Sequence, residues 1–225
     1  MNIALLFEQS GTFKNILKSY GHNAKDFDIS NDYNETDYII DLFDYIENTN
    51  MEKINNADLV IAFFPCTWFS NQNDLIYRKQ LYQFKSWDDD KINHYINERK
   101  EKYEKAKNIL LTMVDKIKVP LIVENPNSHR IVKILNPNNS VLHKRSNFGD
   151  YYDKPTRYFL FNGVEITELD KIKNPLHFRI NYTGEIKNAL KGSRKMKRSL
   201  IAPEYVENLL SHTYVNGINL KYGNE

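Results

Sequence analysis

The run Leu59-Val60-Ile61-Ala62-Phe63-Phe64 stops at Pro65, and the only cysteine of the chain, Cys66, follows directly. A continuous apolar run of that length, rich in β-branched residues, reads as a buried strand, with the proline closing it. Strands buried on both faces belong to α/β sheets covered by helices, so this run constrains the architecture more than any bulk property. It also sets a thiol at the carboxyl end of a strand, where open α/β sheets bind ligands. A lone cysteine is more often a small buried hydrophobe than a nucleophile, so the other strand ends have to decide.

Ile3 to Phe7 is a second apolar strand, running into Glu8-Gln9-Ser10-Gly11-Thr12. Phe13, Ile16, Leu17 and Tyr20 then recur at helical spacing, and Gly21 stands where a helix-ending glycine would. Strand, small-residue turn and helix open a βαβ unit whose helix N–H groups can meet a ligand. Asn23 to Ile29 predicts a further strand carrying Asp28 at its end. An acid there suits ribose hydroxyls, and an ordinary loop aspartate looks the same. Asp37 to Tyr45 predicts either a third short strand ending near Asp41 or a helical turn. Asn71 to Asp90 is polar and aromatic, a lid-like surface excursion beside the cysteine in which Tyr82 and Trp87 either stack on nucleobases or pack the next helix. Asp88-Asp89-Asp90 caps a long amphipathic helix reaching Ile117. Pro120 precedes the buried run Leu121-Ile122-Val123, which ends in Glu124-Asn125-Pro126. Arg157 to Phe161 reads as a strand, Asn162-Gly163 as a turn, and the stretch after Pro203 as a last short helix. Residues 184–203 hold a basic run, Lys187, Lys191, Arg194, Lys195, Lys197 and Arg198 against Glu185. Such a run either meets phosphates or forms a solvated tail.

With 225 residues, 41% hydrophobic and 27% charged, the chain suits one globular domain. No stretch approaches the ~18 consecutive apolar residues of a membrane span. Met1 to Glu8 lacks the basic region and cleavage site of a signal peptide, and one cysteine allows no internal disulfide. The expectation is a cytoplasmic, reduced protein without structural metal and without a membrane partner.

Taken together, these strand ends resemble those of the DNA cytosine-5 methyltransferases, in the short phage and mobile-element form. Phe7 to Gly11 is similar to the cofactor loop, Asp28 to the ribose acid and Asp41 to the acid at the adenine amino group. Pro65-Cys66 with Phe69-Ser70 resembles the nucleophile loop, and Glu124-Asn125 the Glu-Asn pair after the next strand. Phe148-Gly149 with Lys154-Pro155-Thr156-Arg157 resembles the motif that holds the target base. Arg198 to Pro203 resembles the closing motif of the short forms. The matches run in family order from residue 3 to about residue 210.

The resemblance implies a Rossmann-like S-adenosylmethionine-dependent methyltransferase fold, α/β, with a mostly parallel central sheet flanked by helices in a single domain over 1–225. It implies S-adenosyl-L-methionine as cofactor, met by Phe7, Gln9, Ser10, Gly11, Thr12, Asp28, Asp41 and Pro65. The implied partner is DNA, with the target cytosine flipped out or single-stranded. Cys66 would be the nucleophile, Glu124 the contact to ring N3, Asn125 a link between loops, and Arg157 or Lys154 a cation near the base. Ser70, Lys154, Thr156, Lys195 and Arg198 complete the expected substrate contacts. A thiol with the ordinary pKa of ~8.5 is only roughly 3% ionised at neutral pH, so such a loop must favour the thiolate.

Three features depart from the family pattern, one of them Tyr152, where the larger members have a glutamine before the basic pair. Gln9 stands where the first motif usually carries glycine, and its side chain would crowd the methionine end of the cofactor and weaken its binding. Only about thirty residues separate Phe161 from Arg194, where larger members insert a target-recognition domain. Groove readout of sequence needs such a surface, so specificity would be low or supplied by a protein partner. The alternatives are a catalytically reduced relative that binds nucleic acid or nucleotide without turnover, and an enzyme acting on another cytosine-containing substrate.

Overall fold

The structure, a computed structural model, describes residues 1–71, 73–150, 154–172 and 201–223. Its centre is a seven-stranded sheet in the order β3-β2-β1-β4-β5-β7-β6. β1 (Asn2–Leu6), β2 (Asn23–Asp28), β3 (Tyr38–Ile39), β4 (Leu59–Ala62) and β5 (Leu121–Pro126) run parallel. β6 (Ser140–Lys144) and β7 (Pro155–Phe161) complete it, β7 antiparallel to both β5 and β6. The mostly parallel, helix-flanked sheet expected from the sequence is present.

Alternate residues of the inner strands feed two cores, as the period of two requires. Ile3, Leu5, Leu59, Ile61 and Ile122 face α1 (Thr12–Ser19) and α7 (Pro203–Ser211). Ala4, Leu6, Val60, Ala62, Leu121 and Val123 face α2 (Leu42–Asn48), α3 (Glu52–Asn55), the second half of α5 (Asp89–Lys116) and α6 (His129–Leu135). Burial on both faces is why β4 and β5 are unbroken apolar runs rather than alternating ones. β8 (Val164–Ile166), β9 (Thr213–Val215) and β10 (Ile218–Asn219) form a small antiparallel sheet at one side.

Three elements differ from their sequence reading. Asp37 to Tyr45 is both of the alternatives: β3 is two residues long, and Asp41 then caps α2 by accepting from the Phe43 and Asp44 N–H groups. The 71–90 stretch is not merely surface. It contains α4 (Asn73–Tyr77) and a 3-10 turn, Tyr82–Ser86. Ile76 and Phe84 there bury against Ile92 and Ile96 of α5 in a satellite core. Trp87 packs on Tyr95, whereas Tyr82 is 84% exposed. β6 has no clear sequence signature because it is an edge strand, half-exposed, of mixed polarity.

Candidate active site

The order of strands reverses between β1 and β4, so the chain leaves the sheet in opposite directions there and opens a cleft at their carboxyl ends. The turn after β1 and the turn after β4 meet in this cleft. Phe7 ends β1 with a φ of 61°, unfavourable for an aromatic residue and worth about 1–3 kcal/mol of stored strain. Its ring is held edge-on against Phe64, at 5.2 Å between centroids, and Phe43. The sharp bend sends Glu8 beneath the turn it precedes.

Glu8 is a residue that the sequence reading missed. Its buried carboxyl accepts from the Ser10 N–H at 3.0 Å, the Ser10 hydroxyl at 2.5 Å and the Gly11 N–H at 2.9 Å. Burial pushes its pKa from 4.5 up to about 7, and those hydrogen bonds only partly offset the loss of water. The turn thus holds its own internal acid. Gly11 has a φ of 69°, and a Cβ there would stand 2.6 Å from a carboxyl oxygen of Glu35. Only glycine fits that approach. Thr12 follows as the first residue of α1, with its hydroxyl 3.0 Å from that of Ser10.

Beneath α1 lies a buried ionic group. Lys14 pairs with Asp26 at 3.1 Å and with Asp37 at 3.4 Å, and it also donates to the Glu35 carbonyl. Asp28 ends β2, 4% exposed, accepting from Ser30 N–H at 2.8 Å and from the Gln9 amide at 3.1 Å, both on Oδ1. Burial raises its pKa despite these donors. Gln9 therefore lies over the acid that the sequence reading pairs with ribose. Asp41 is exposed at the end of β3.

On the other side of the cleft, Pro65 leads into a 3-10 turn, Cys66–Trp68, with Cys66 half-buried. The Cys66 carbonyl accepts from the Phe69 and Ser70 N–H groups. Asn125, at the end of the adjacent β5, donates to the Phe64 carbonyl at 2.8 Å in a buried bond. This bond ties the two strand ends together. The Oδ1 of Asn125 finds no hydrogen-bond donor among the described residues.

Glu124 and Asn125 point to opposite faces of the sheet, and their neighbours on β7 divide accordingly. Glu124 stands across from Tyr158, on the side of α1 and α7. Asn125 stands across from Arg157. The Arg157 guanidinium is engaged there by Asn127 at 3.0 Å and Ser140 at 2.7 Å. The sequence reading put a cation near the base or its phosphate at Arg157 or Lys154; Arg157 lies on Asn125's side of the sheet, and on Glu124's side stands a further cation, Arg145. It is 5% exposed, paired with Asp150 at 2.6 Å, and stacked over Tyr205, whose hydroxyl donates to that of Tyr158. Burial opposes the Arg145 charge, but Asp150, Tyr158 and Glu124 together hold it protonated. Arg145 carried no sequence signal, since Lys144-Arg145 reads as an ordinary basic pair. Lys154 is half-exposed at the start of β7, with its carbonyl accepting from the buried Thr156 hydroxyl at 3.3 Å. Lys195 and Arg198, with most of the 184–203 basic run, lie outside the described residues.

The fold is thus a doubly wound α/β sheet in which a thiol, a carboxyl and two acids stand at or just beyond the carboxyl ends of neighbouring strands. No family model matches the chain, and no curated protein is significantly similar to it. Among solved structures, it is similar to a DNA modification methyltransferase encoded within an E. coli prophage, at 17% identity and a TM-score of 0.40. That match covers 71% of this chain and 45% of the other. A mutant of DNMT2 from Spodoptera frugiperda is similar at 18% identity and a TM-score of 0.36, over 70% of this chain and 48% of its own. The chain therefore spans less than half the length of either protein. No helix among the described residues is long and apolar enough to cross a membrane.

Proposed function

We propose that this chain transfers a methyl group from S-adenosyl-L-methionine to carbon 5 of cytosine in DNA. The observation that carries the proposal is the buried bond from Asn125 to the Phe64 carbonyl. It holds the Pro65-Cys66 turn against the Glu124-Asn125 strand end, at the cleft where a doubly wound sheet takes ligands.

The residues present fit the cofactor at its nucleoside end. Asp28 is a buried strand-end carboxyl whose bonds from Gln9 and Ser30 both fall on Oδ1, and ribose hydroxyls would donate to it; Asp41 stands at the next strand end. When bound, S-adenosyl-L-methionine supplies an electrophilic methyl group. Gln9, Ser10, Gly11 and Thr12 form the turn beside it, with Phe7 and Pro65 bounding the cleft. Gln9 has to release or share Asp28 for the ribose to reach it.

Carbon 5 of cytosine is a poor nucleophile, and the thiolate of Cys66 corrects this by adding to carbon 6. The new S–C6 bond turns carbon 5 into an enamine-like centre that accepts the methyl group. Loss of the carbon 5 proton to a base then re-forms the C5=C6 double bond and expels sulfur from carbon 6 as the thiolate. Glu124 hydrogen-bonds ring N3 and the exocyclic amine, drawing electron density from the ring as sulfur adds. Ser70, Lys154 and Thr156, with Arg157, Lys195 and Arg198, are the proposed contacts to the base and its phosphates. Carbon 6 is inaccessible in a stacked duplex, so the target cytosine is flipped out or single-stranded. A protein partner is the proposed source of any sequence specificity.

The test is transfer of label from methyl-labelled cofactor to DNA, followed by digestion to nucleosides. Label in 5-methylcytidine supports the proposal; label elsewhere or nowhere contradicts it. One observation favours a second reading, a protein that binds nucleic acid or nucleotide without turnover. The Gln9 amide already satisfies Asp28. Under this reading, calorimetry with the full chain finds nucleic-acid binding and no cofactor binding.

A further inference from the structure

The turn that carries Cys66 is held by side chains from outside its own strand. Asn73, 2% exposed at the start of α4, spends both amide hydrogens on it. It donates to the Thr67 carbonyl at 2.9 Å and to the Trp68 carbonyl at 2.9 Å. Its own N–H donates to the Ser70 carbonyl at 3.0 Å. Its remaining polar atom, Oδ1, accepts from the Arg99 guanidinium at 2.7 Å. Arg99 projects from α5 and lies over the Trp68 ring, 4.7 Å from its centroid. Phe69, fully buried, meets Tyr103 of the same helix edge-on at 5.8 Å.

Each of these contacts reaches back to one rigid element. α5 is 28 residues long, and Ala106, Ile109, Leu110 and Met113 in its second half are buried in the main core. Its first half carries Arg99 and, with α4, the satellite core. The helix thus transmits the position of the main core to the turn, through Arg99 and Asn73. An asparagine whose two donors and one acceptor are all used on a single turn and its support specifies a geometry, not merely a volume.

We infer that Asn73, seated by Arg99, is a positioning residue for the Cys66 thiol. It acts through the carbonyls of Thr67 and Trp68 and does not touch the substrate. The inference rests on the proposal that Cys66 is the nucleophile. Misplacing a reacting group by about 1 Å costs on the order of 10²-fold in rate. Asn73→Ala therefore lowers kcat for methyl transfer on the order of 10²-fold, with KM for DNA nearly unchanged. Asn73→Asp keeps the acceptor for Arg99 but sets a carboxylate against two carbonyls, so it is as damaging as Asn73→Ala. Arg99→Lys keeps a cation over Trp68 and one donor to Asn73, and it retains more activity than Arg99→Ala.

The experiment measures both kinetics and amide hydrogen exchange in the full chain. Exchange over residues 64–70 accelerates in Asn73→Ala and Asn73→Asp, while exchange over β5 stays at the wild-type rate. Wild-type exchange over 64–70 in both Asn73 variants overturns the inference. So does an Asn73→Asp variant with wild-type kcat. A wild-type chain that transfers no methyl group defeats the proposed activity instead, and the exchange arm still decides whether Asn73 holds the turn.

Discussion

The two halves of the cleft are held in opposite ways. On the β1–β2 side, the chain's own carboxylates and amides bond to each other and to their own turn. Glu8 takes the Ser10 and Gly11 N–H groups, Gln9 covers Asp28, and Glu35 leans on Gly11. On the β4–β5 side, the partners go to the backbone instead. Asn125 and Asn73 bind the carbonyls of Phe64, Thr67 and Trp68, fixing the turn that carries the thiol. One side is held by side chains bonded to each other and to their own turn, and the other by side-chain amides bonded to backbone carbonyls.

Breaking the comparison at its strongest point means removing the thiol. Cys66→Ser leaves both halves folded, and methyl transfer falls by roughly 10⁴-fold or more, measured as label in 5-methylcytidine. Cofactor affinity, set on the other side, stays at the wild-type value by calorimetry. Lys14→Met tests the internal charges of the β1–β2 side. It strands Asp26, 0% exposed, without its cation and costs about 3–5 kcal/mol in urea unfolding.

Two buried groups of opposite sign contribute strongly to the pH dependence of stability. Glu8, raised from 4.5 to about 7, keeps its proton in the folded state where the unfolded chain has lost it. Its contribution therefore falls as pH rises from about 4.5 to about 7, by roughly 3 kcal/mol. His143, beside Tyr205 and inside the ring cluster of Phe148 and Tyr158, is lowered by burial from 6.5 to about 4. It is neutral when folded and charged when unfolded, so its contribution is lost as pH falls from about 6.5 to about 4, by a similar roughly 3 kcal/mol. The two slopes oppose each other between about 4.5 and 6.5. Urea unfolding against pH separates them: Glu8→Gln leaves stability rising with pH there, and His143→Phe leaves it falling. Asn125→Leu is milder, leaving the Phe64 carbonyl without its donor at about 1–3 kcal/mol. Gln9→Gly is the smallest change. Releasing Asp28 from one hydrogen bond tightens cofactor binding roughly 2–10-fold by calorimetry. An unchanged affinity would mean that the Gln9 amide does not compete with the cofactor.

How much of this was legible in the sequence divides along the same line. Strand ends are legible, because a parallel strand buried on both faces is an unbroken apolar run and the residue closing it stands out. Pro65-Cys66 and Glu124-Asn125 announce themselves this way, whereas Asp28 closes the mixed strand Asn23–Asp28 and stands out less. Side chains that reach sideways do not. Glu8 looks like any polar turn residue until the left-handed bend at Phe7 sends it inward. Asn73 and Arg99 are 26 positions apart, inside stretches whose composition reads as surface. Arg145 is buried only because Asp150 and Tyr205 close over it. Arg157 illustrates the converse: its proximity in sequence to the base-holding motif says nothing of which face it takes, and strand register puts it opposite Asn125.

The central claim is that the fixed thiol adds covalently to cytosine. DNA carrying 5-fluorocytosine tests it most directly, because fluorine at carbon 5 cannot leave as a proton and the S–C6 bond persists after methyl transfer. The account predicts a denaturation-stable protein–DNA adduct that forms only with S-adenosyl-L-methionine present, maps to Cys66 by peptide mass, and is lost in Cys66→Ser. Methyl transfer without any adduct, or an adduct mapped to another residue, would contradict it.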